Sequence, residues 1–401
     1  MAKKQKKPEI MSPIKNWASL EACKNYADAV YFSLNELSMR AGLDAITLKN
    51  LNKFVKQCHS YKLKAYLVLN CALYNNDLLK AEKIVKKAKA TKVDAVIVWD
   101  PAAIMLAKKY KVPFFISTQA NITNYQTALF YKKLGAKRVV LAREMNLGDV
   151  KKLKGKVGKL EVETFVHGAM CVSISGRCIL SSYLYGTSAN CGACAQPCRK
   201  KYTLTDEEGN KIVNEGKYFM SAKDLCMIEY VPELIKVGVE SFKIEGRKRD
   251  PRYIETTARC YREAVDAYYD KTFTKQKAKK WKEELSEVYN RGFSTGFYFG
   301  TPTKDGISYD KADNLSPTKK ILLGEVKHYY PKINVAEINF NHRGVGLGKN
   351  ITVEGQSTYF QQTVDSLEIE GGVVKRVRKG DKAGLKVEGK VKKGDNVYLI
   401  I

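Results

Sequence analysis

Six cysteines fall between residues 171 and 226, and their surroundings suggest what they could hold. Cys171 and Cys178 lie in "HGAMCVSISGRC", Cys191, Cys194 and Cys198 in "CGACAQPC", and Cys226 in "SAKDLC". The glycines let backbone approach a ligand closely, and the charges of Arg177 and Arg199 favour thiolates over thiols. Four thiolates can bind zinc or an iron–sulfur cluster. Zinc ribbons use paired C-x2-C knuckles; Cys191 and Cys194 form one such pair, but Cys171 and Cys178 do not. Uneven spacing suits a cluster built on the end of a larger domain. Spacing alone leaves zinc, or no metal, open as alternatives. The other cysteines, Cys23, Cys58, Cys71 and Cys260, are scattered and read as small buried hydrophobes.

The rest of the composition narrows partners and compartment. The chain has 401 residues, 70 Lys+Arg against 42 Asp+Glu, and a formal net charge of +28. A field of that sign concentrates polyanions, so nucleic acid is the leading partner class; a lysine-rich proteome is the competing explanation. No run approaches the roughly 18 apolar residues of a membrane span, and "MAKKQKKPEI" lacks the apolar core of a signal peptide. These features predict a cytoplasmic protein with no membrane partner. Ten cysteines in a reducing compartment then argue against a disulfide framework.

The elements that must position the cysteines come next. Apolar runs at 8–11, 28–34, 64–70, 93–100, 113–118, 138–142, 160–168 and 241–246 alternate with amphipathic stretches such as "TLKNLNKFVKQCHSY". Eight β-then-α units predict the α/β class and a (β/α)8 TIM-like barrel, with a doubly wound open sheet as the alternative. The seventh and eighth runs are much further apart than the others, and the cysteines fill that gap. A cysteine-rich insertion after the seventh strand would project onto the catalytic face, since barrels keep their chemistry at the C-terminal strand ends.

Other polar residues converge on the same face. Gln119 follows the fifth strand, Arg143 and Glu144 the sixth, Glu163 and His167 lie on the seventh, and Lys243, Glu245 and Arg247 run along and beyond the eighth. His167, Glu163, Arg143, Glu144, Lys243 and Glu245 are candidates for catalysis; Gln119, Arg177, Arg199 and Arg247 are candidates for holding an anionic substrate. His167 near Cys171 could form a peptidase dyad, but a cysteine that ligates metal is not free to attack a carbonyl. H-E-x-x-H does not occur.

After the eighth strand, Asp250 and Pro251 read as the start of a closing helix. The barrel is expected over residues 8–270 and a connector over 271–317. From 318 to 401 alternating apolar residues and Gly-containing turns predict a small antiparallel β-barrel, with a basic tail "VVKRVRKGDKAGLKVEGKVKKGD".

The block "ETFVHGAMCVSISGRCILSSYLYG", with "GACAQPCRKKY", "SAKDLC" and "SFKIEGR", closely resembles the collagenase-like peptidases, the "U" family of unassigned catalytic type. The resemblance runs through "STQANITN" and "LAREM" to the C-terminal domain. It implies a [4Fe–4S] cluster on Cys171, Cys178, Cys194 and Cys226, with Cys198 in reserve and Cys191 outside the ligand set. Its RNA-modifying branches imply oxygen-independent hydroxylation of an RNA pyrimidine, foremost the transfer-RNA wobble uridine to 5-hydroxyuridine, with ribosomal RNA as the alternative substrate. It further implies prephenate as co-substrate, and assembly with itself or a related family member. Rival readings are a peptidase and a non-catalytic RNA-binding module. Where relatives commonly read "APAG" this chain has "SPIK" at 12–15, which removes a glycine turn from the barrel mouth. The C-terminal domain resembles the β-barrel of translation factors, and Tyr329, Tyr330, Tyr359 and Phe360 are its candidates for stacking on bases.

Overall fold

The computed structural model describes residues 6–39, 46–211, 218–310 and 313–401; the first five residues of the basic N-terminus lie outside it. Eight parallel strands close into a barrel: β1 (Glu9–Ile14), β2 (Ala29–Ser33), β3 (Lys64–Leu69), β4 (Ala95–Val98), β5 (Phe114–Ile116), β6 (Arg138–Val140), β7 (Glu161–Gly168) and, after a short extra strand β8 (Asp224–Cys226), β9 (Ser241–Ile244). Closure comes from β9, which pairs with β7 at Glu163↔Ser241 and with β1 at Met11↔Lys243. Each apolar run read from the sequence holds one barrel strand, and the open-sheet alternative falls.

The strands are buried on both faces, which is why they read as continuous apolar runs. Inside the barrel, Met11, Ala29, Tyr31, Tyr66, Val68, Ala95, Ile97 and Phe115 form one packed cluster. Outside, helices present apolar stripes to the strands. In the helix Leu51–Ser60 the buried residues are Leu51, Phe54, Val55 and Cys58, at helical spacing, while lysines face out. The closing helix Pro251–Tyr269 starts as its sequence suggests. Asp250 accepts from Tyr253 N at 2.9 Å, and Pro251 occupies the first turn.

The insertion between β7 and β9 contributes β8, which runs antiparallel to the end of β7 with His167↔Cys226 and Gly168↔Leu225. Strand β10 (Phe293–Ser294) then adds to β8, and the Tyr298 hydroxyl donates to Phe165 O at 2.7 Å. Part of the stretch expected as a connector is therefore seated on the barrel.

From Lys320 an eight-stranded antiparallel sheet begins, around its own core of residues such as Leu323, Phe340, Val353 and Val397. Its edge strand Tyr359–Thr363 curls back to Lys382–Lys386. Gln362 Nε2 donates to Lys386 O at 2.9 Å, and Gln362 Oε1 accepts from Glu388 N at 3.0 Å. The sheet meets the barrel at the closing helix, where the Tyr359 hydroxyl donates to Glu255 at 2.8 Å. No helix among the described residues is long and apolar enough to cross a membrane.

Candidate functional site

The side chains inside the barrel set the floor of the site. Arg138 Nη1 donates to Glu9 at 2.6 Å and to Glu163 at 3.0 Å, and Lys243 Nζ donates to Glu163 at 2.7 Å. Glu163 is 0% exposed, Arg138 2% and Lys243 4%. Burying an ion is costly unless each charge is paired, and here two carboxylates alternate with two cations. Burial drives the Lys243 pKa down and Glu163 opposes it. Burial likewise raises that of Glu9, but Arg138 and Lys64 outweigh it and hold the carboxylate ionised.

Above this floor lies a cavity of about 130 Å³ at the C-terminal ends of the strands. Asn70, Gln119, Arg143, Lys243, Glu245 and Arg247 of the barrel line it together with Cys171, Cys178, Cys194 and Cys198 of the insertion. Gln119 Oε1 accepts from Asn70 Nδ2 at 3.1 Å. The Arg143 guanidinium lies 3.9 Å from the centre of the Phe165 ring and donates to Ala169 O at 2.6 Å. Arg247 donates to Ser33 Oγ at 2.9 Å and Ser38 Oγ at 2.7 Å, which ties the eighth strand end to the loop after the second.

The thiol wall is held by three anchors. Glu144 accepts from Ser175 N at 2.8 Å, and Ser175 Oγ donates to Asn121 at 2.9 Å, so the 171–178 loop is pinned to the end of β6 and the turn after β5. Arg199 donates to Met170 O at 2.6 Å and Ser221 Oγ at 3.0 Å, clamping the start of the insertion to the segment before β8. Arg177 stands 5.8 Å over the Trp99 ring. None of these three side chains lines the cavity; each positions a segment that does. Gly168 lets the chain turn off β7, with φ at 102° and an added Cβ only 2.6 Å from Glu245 O.

Around the sulfurs, Leu180 N donates to Cys178 Sγ at 3.4 Å, Ser181 Oγ to Cys194 Sγ at 3.9 Å, and Cys171 Sγ lies 3.0 Å from Ser173 Oγ. Burial raises the Cys198 pKa and Arg199 lowers it, while Cys171, Cys194 and Cys178 each add to the rise. All three therefore lie within electrostatic reach of Cys198. As soft donors on one wall, with cations nearby, the four thiols fit iron–sulfur or zinc chemistry. Among the described residues, however, no three ligating side chains already surround one point. A bound metal would have to draw the loops together, as metal binding commonly does.

Two sequence-predicted residues stand elsewhere. Cys226 is 4% exposed on β8; burial raises its pKa to about 11, and its interactions are with Tyr261, Lys282 and Glu229 rather than with the other site cysteines. His167 follows an irregularity in the β7 pairing after Phe165, so its side chain enters the layer outside the barrel. Its ring packs against Tyr261 and Phe293 at 5.6 Å each and Tyr253 at 5.9 Å. Burial lowers its pKa to about 3. His167 does not line the cavity, so the structure does not assemble a His167–Cys171 dyad. Conversely, sequence reading missed Asn70, Tyr31 and Ser117 in the cavity wall. Asn70 and Ser117 each directly follow a strand, a position that marks site residues in a barrel.

The profile of peptidase family U32 matches residues 15–308, and the chain belongs to that family. An uncharacterized protease of Methanocaldococcus jannaschii is 43% identical to it, over 98% of each chain. A collagenase of Porphyromonas gingivalis is 35% identical over 97% of each. The tRNA hydroxylation protein P1 of Bacillus subtilis is 35% identical over 74% of this chain and 72% of the relative. Relatives thus carry both peptidase and RNA-hydroxylation names.

Proposed function

We propose that the protein is an iron–sulfur enzyme of RNA hydroxylation, converting the wobble uridine of transfer RNA to 5-hydroxyuridine without molecular oxygen. The observation that carries this reading is the single cavity lined both by four thiols and by Gln119, Arg143, Lys243, Glu245 and Arg247. Cys171, Cys178, Cys194 and Cys198 are the set the geometry favours for a [4Fe–4S] cluster, with Cys198 in place of Cys226. When bound, such a cluster supplies one-electron transfer or an open iron as Lewis acid.

The chain's own residues bind and orient. Gln119 and Asn70 offer amide donors and acceptors suited to the edge of a pyrimidine. Arg143, Arg247 and Lys243 offer positive charge to an anionic co-substrate; prephenate, with two carboxylates, is the one proposed. Phe165 and Tyr31 supply apolar surface that keeps water away from the reacting groups. The net charge of +28 and the exposed Lys375, Arg376 and Arg378 of the C-terminal domain favour transfer RNA as the polyanion held. Work in the cytoplasm, where transfer RNA is, fits this assignment.

The peptidase reading has less support, because the one histidine of the signature is buried behind the strand and away from the thiols. Mass spectrometry of transfer-RNA nucleosides from cells lacking the protein tests the proposal. Loss of 5-hydroxyuridine is expected; an unchanged nucleoside profile overturns it.

A further inference from the structure

A second cavity, of about 390 Å³, adjoins the first and shares Cys194, Gln196, Glu245 and Lys248 with it. Its far wall is Arg249, Tyr289 and Arg291. The Arg249 guanidinium lies 3.4 Å from the centre of the Tyr289 ring, and that of Arg291 lies 5.1 Å from the same centre. The ring is itself fixed, since its hydroxyl donates to Asp313 at 2.8 Å. Arg249 and Lys248 are aimed by a tight turn in which Arg249 N donates to Gly246 O at 2.8 Å. Gly246 lies so close to Tyr253 that an added Cβ would be 2.6 Å from its ring.

Three cations therefore converge on one polar hollow. The acidic groups beside them are Glu245, in the shared wall, Asp224, whose carboxylate is 3.5 Å from Arg291 and buried, and Asp313, at the Tyr289 hydroxyl. Gathering like charges around a ring costs repulsion that an incoming anion relieves. Guanidinium ions stacked on an aromatic are preorganised for a phosphate, because their donor forks are held in plane.

We propose that this hollow holds a backbone phosphate of the RNA strand, flanking the nucleotide whose base enters the first cavity. The inference rests on the reading that RNA is the substrate. A base drawn out of its stack into a pocket leaves its flanking phosphates at the rim, and the second cavity lies against that rim. Such a contact fixes the register of the strand and leaves base choice to the first cavity.

The test is binding of a fluorescein-labelled anticodon stem-loop RNA to the full-length protein across a salt series, followed by anisotropy. Arg249→Gln is expected to weaken binding about 3- to 10-fold and to flatten the log–log salt slope by about 0.7 to 0.9, the release expected for one phosphate contact. Arg249→Lys should restore part of the affinity. Arg291→Gln should act in the same direction, but it also strips a buried carboxylate of its partner, so Arg249→Gln with an unchanged melting temperature is the deciding variant. An Arg249→Gln protein with wild-type affinity and slope overturns the phosphate site and leaves the RNA reading standing. Failure of the wild-type protein to bind the stem-loop overturns both. Weakened binding of prephenate with unaltered RNA binding would assign the hollow to a small carboxylate and overturn the proposal.

Discussion

Lys243 Nζ and Glu163 Oε1 stand 2.7 Å apart inside the barrel, and the second Glu163 oxygen accepts from Arg138 at 3.0 Å. One carboxylate thus bridges two buried cations directly beneath the site cavity. Removing it leaves Arg138 and Lys243 with Glu9 as the remaining buried carboxylate of the network. Glu163→Gln is expected to cost about 3 to 5 kcal/mol in urea unfolding, the usual penalty for stranding a buried charge. The double variant Glu163→Gln with Lys243→Met should recover at least about 1 kcal/mol of that loss, because the pair is coupled. Additive single-variant losses would show that the two side chains do not share a charge balance.

His167 gives a pH dependence of known sign. Its folded pKa is lowered to about 3 by burial, against an ordinary value of 6.5. The unfolded chain therefore takes up the proton first, so this contribution to stability is complete above the unfolded pKa and declines as pH falls from about 6.5 toward 3. Between pH 6 and pH 5 the wild type should lose about 1 kcal/mol relative to His167→Phe, measured by urea unfolding of both. A constant difference across that interval would mean that the imidazole takes up its proton equally in the folded and unfolded chain.

The thiol assignment predicts iron content. Anaerobically purified protein should be brown and hold about four irons, and Cys171→Ala, Cys178→Ala, Cys194→Ala or Cys198→Ala should each bleach it, since a missing thiolate leaves an iron open to exchange and oxidation. Cys191→Ala and Cys226→Ala should keep the colour. Bleaching by Cys226→Ala with retention in Cys198→Ala would restore the ligand set implied by family resemblance. Stoichiometric zinc in a colourless, active protein would replace the cluster altogether.

The C-terminal domain predicts a second effect of salt. Lys375, Arg376 and Arg378 are exposed on one short stretch, and reversing all three to Glu should weaken stem-loop binding for every sequence tested. The log–log slope should flatten by roughly 2 if each makes one phosphate contact. Of the aromatic candidates there, Tyr359 is turned to Glu255 at the contact with the barrel, while Tyr330 is 44% exposed. Tyr330→Ala should therefore weaken RNA binding and Tyr359→Phe should not. Wild-type binding in the charge reversal would make these lysines and arginines a solvated face.

Much of this architecture is legible in the chain itself. Parallel barrel strands are buried on both sides, so "KAYLVLN" and "VDAVIVWD" stand out as apolar runs without any need to know their neighbours. The position of Gln119, Arg143, Lys243 and Arg247 follows from the same rule, since each lies on a strand facing inward or just past its end. Strand β8 was not legible, because three residues, "DLC", show no period. Without it, nothing signals that Cys226 is packed under the insertion or that His167 opposes it across a two-strand ladder. The ion network was hidden for a different reason: Glu9 and Arg138 are far apart in sequence, and pairing between them exists only once the barrel closes. Arg199 and Glu144 read as site charges because their types are right, yet the backbone groups they hold are visible only in three dimensions.

The central claim, that four thiols across the barrel mouth serve hydroxylation of transfer RNA, is tested most directly by complementation. Cells lacking the protein would be supplied with wild type or with single Cys→Ala variants, and 5-hydroxyuridine in their transfer RNA measured by mass spectrometry. The account predicts full restoration by wild type, Cys191→Ala and Cys226→Ala, and less than about a tenth of the nucleoside with Cys171→Ala, Cys178→Ala, Cys194→Ala or Cys198→Ala, as expected when a catalytic centre is lost. Restoration by the latter four at the wild-type level, in proteins expressed equally, would contradict it.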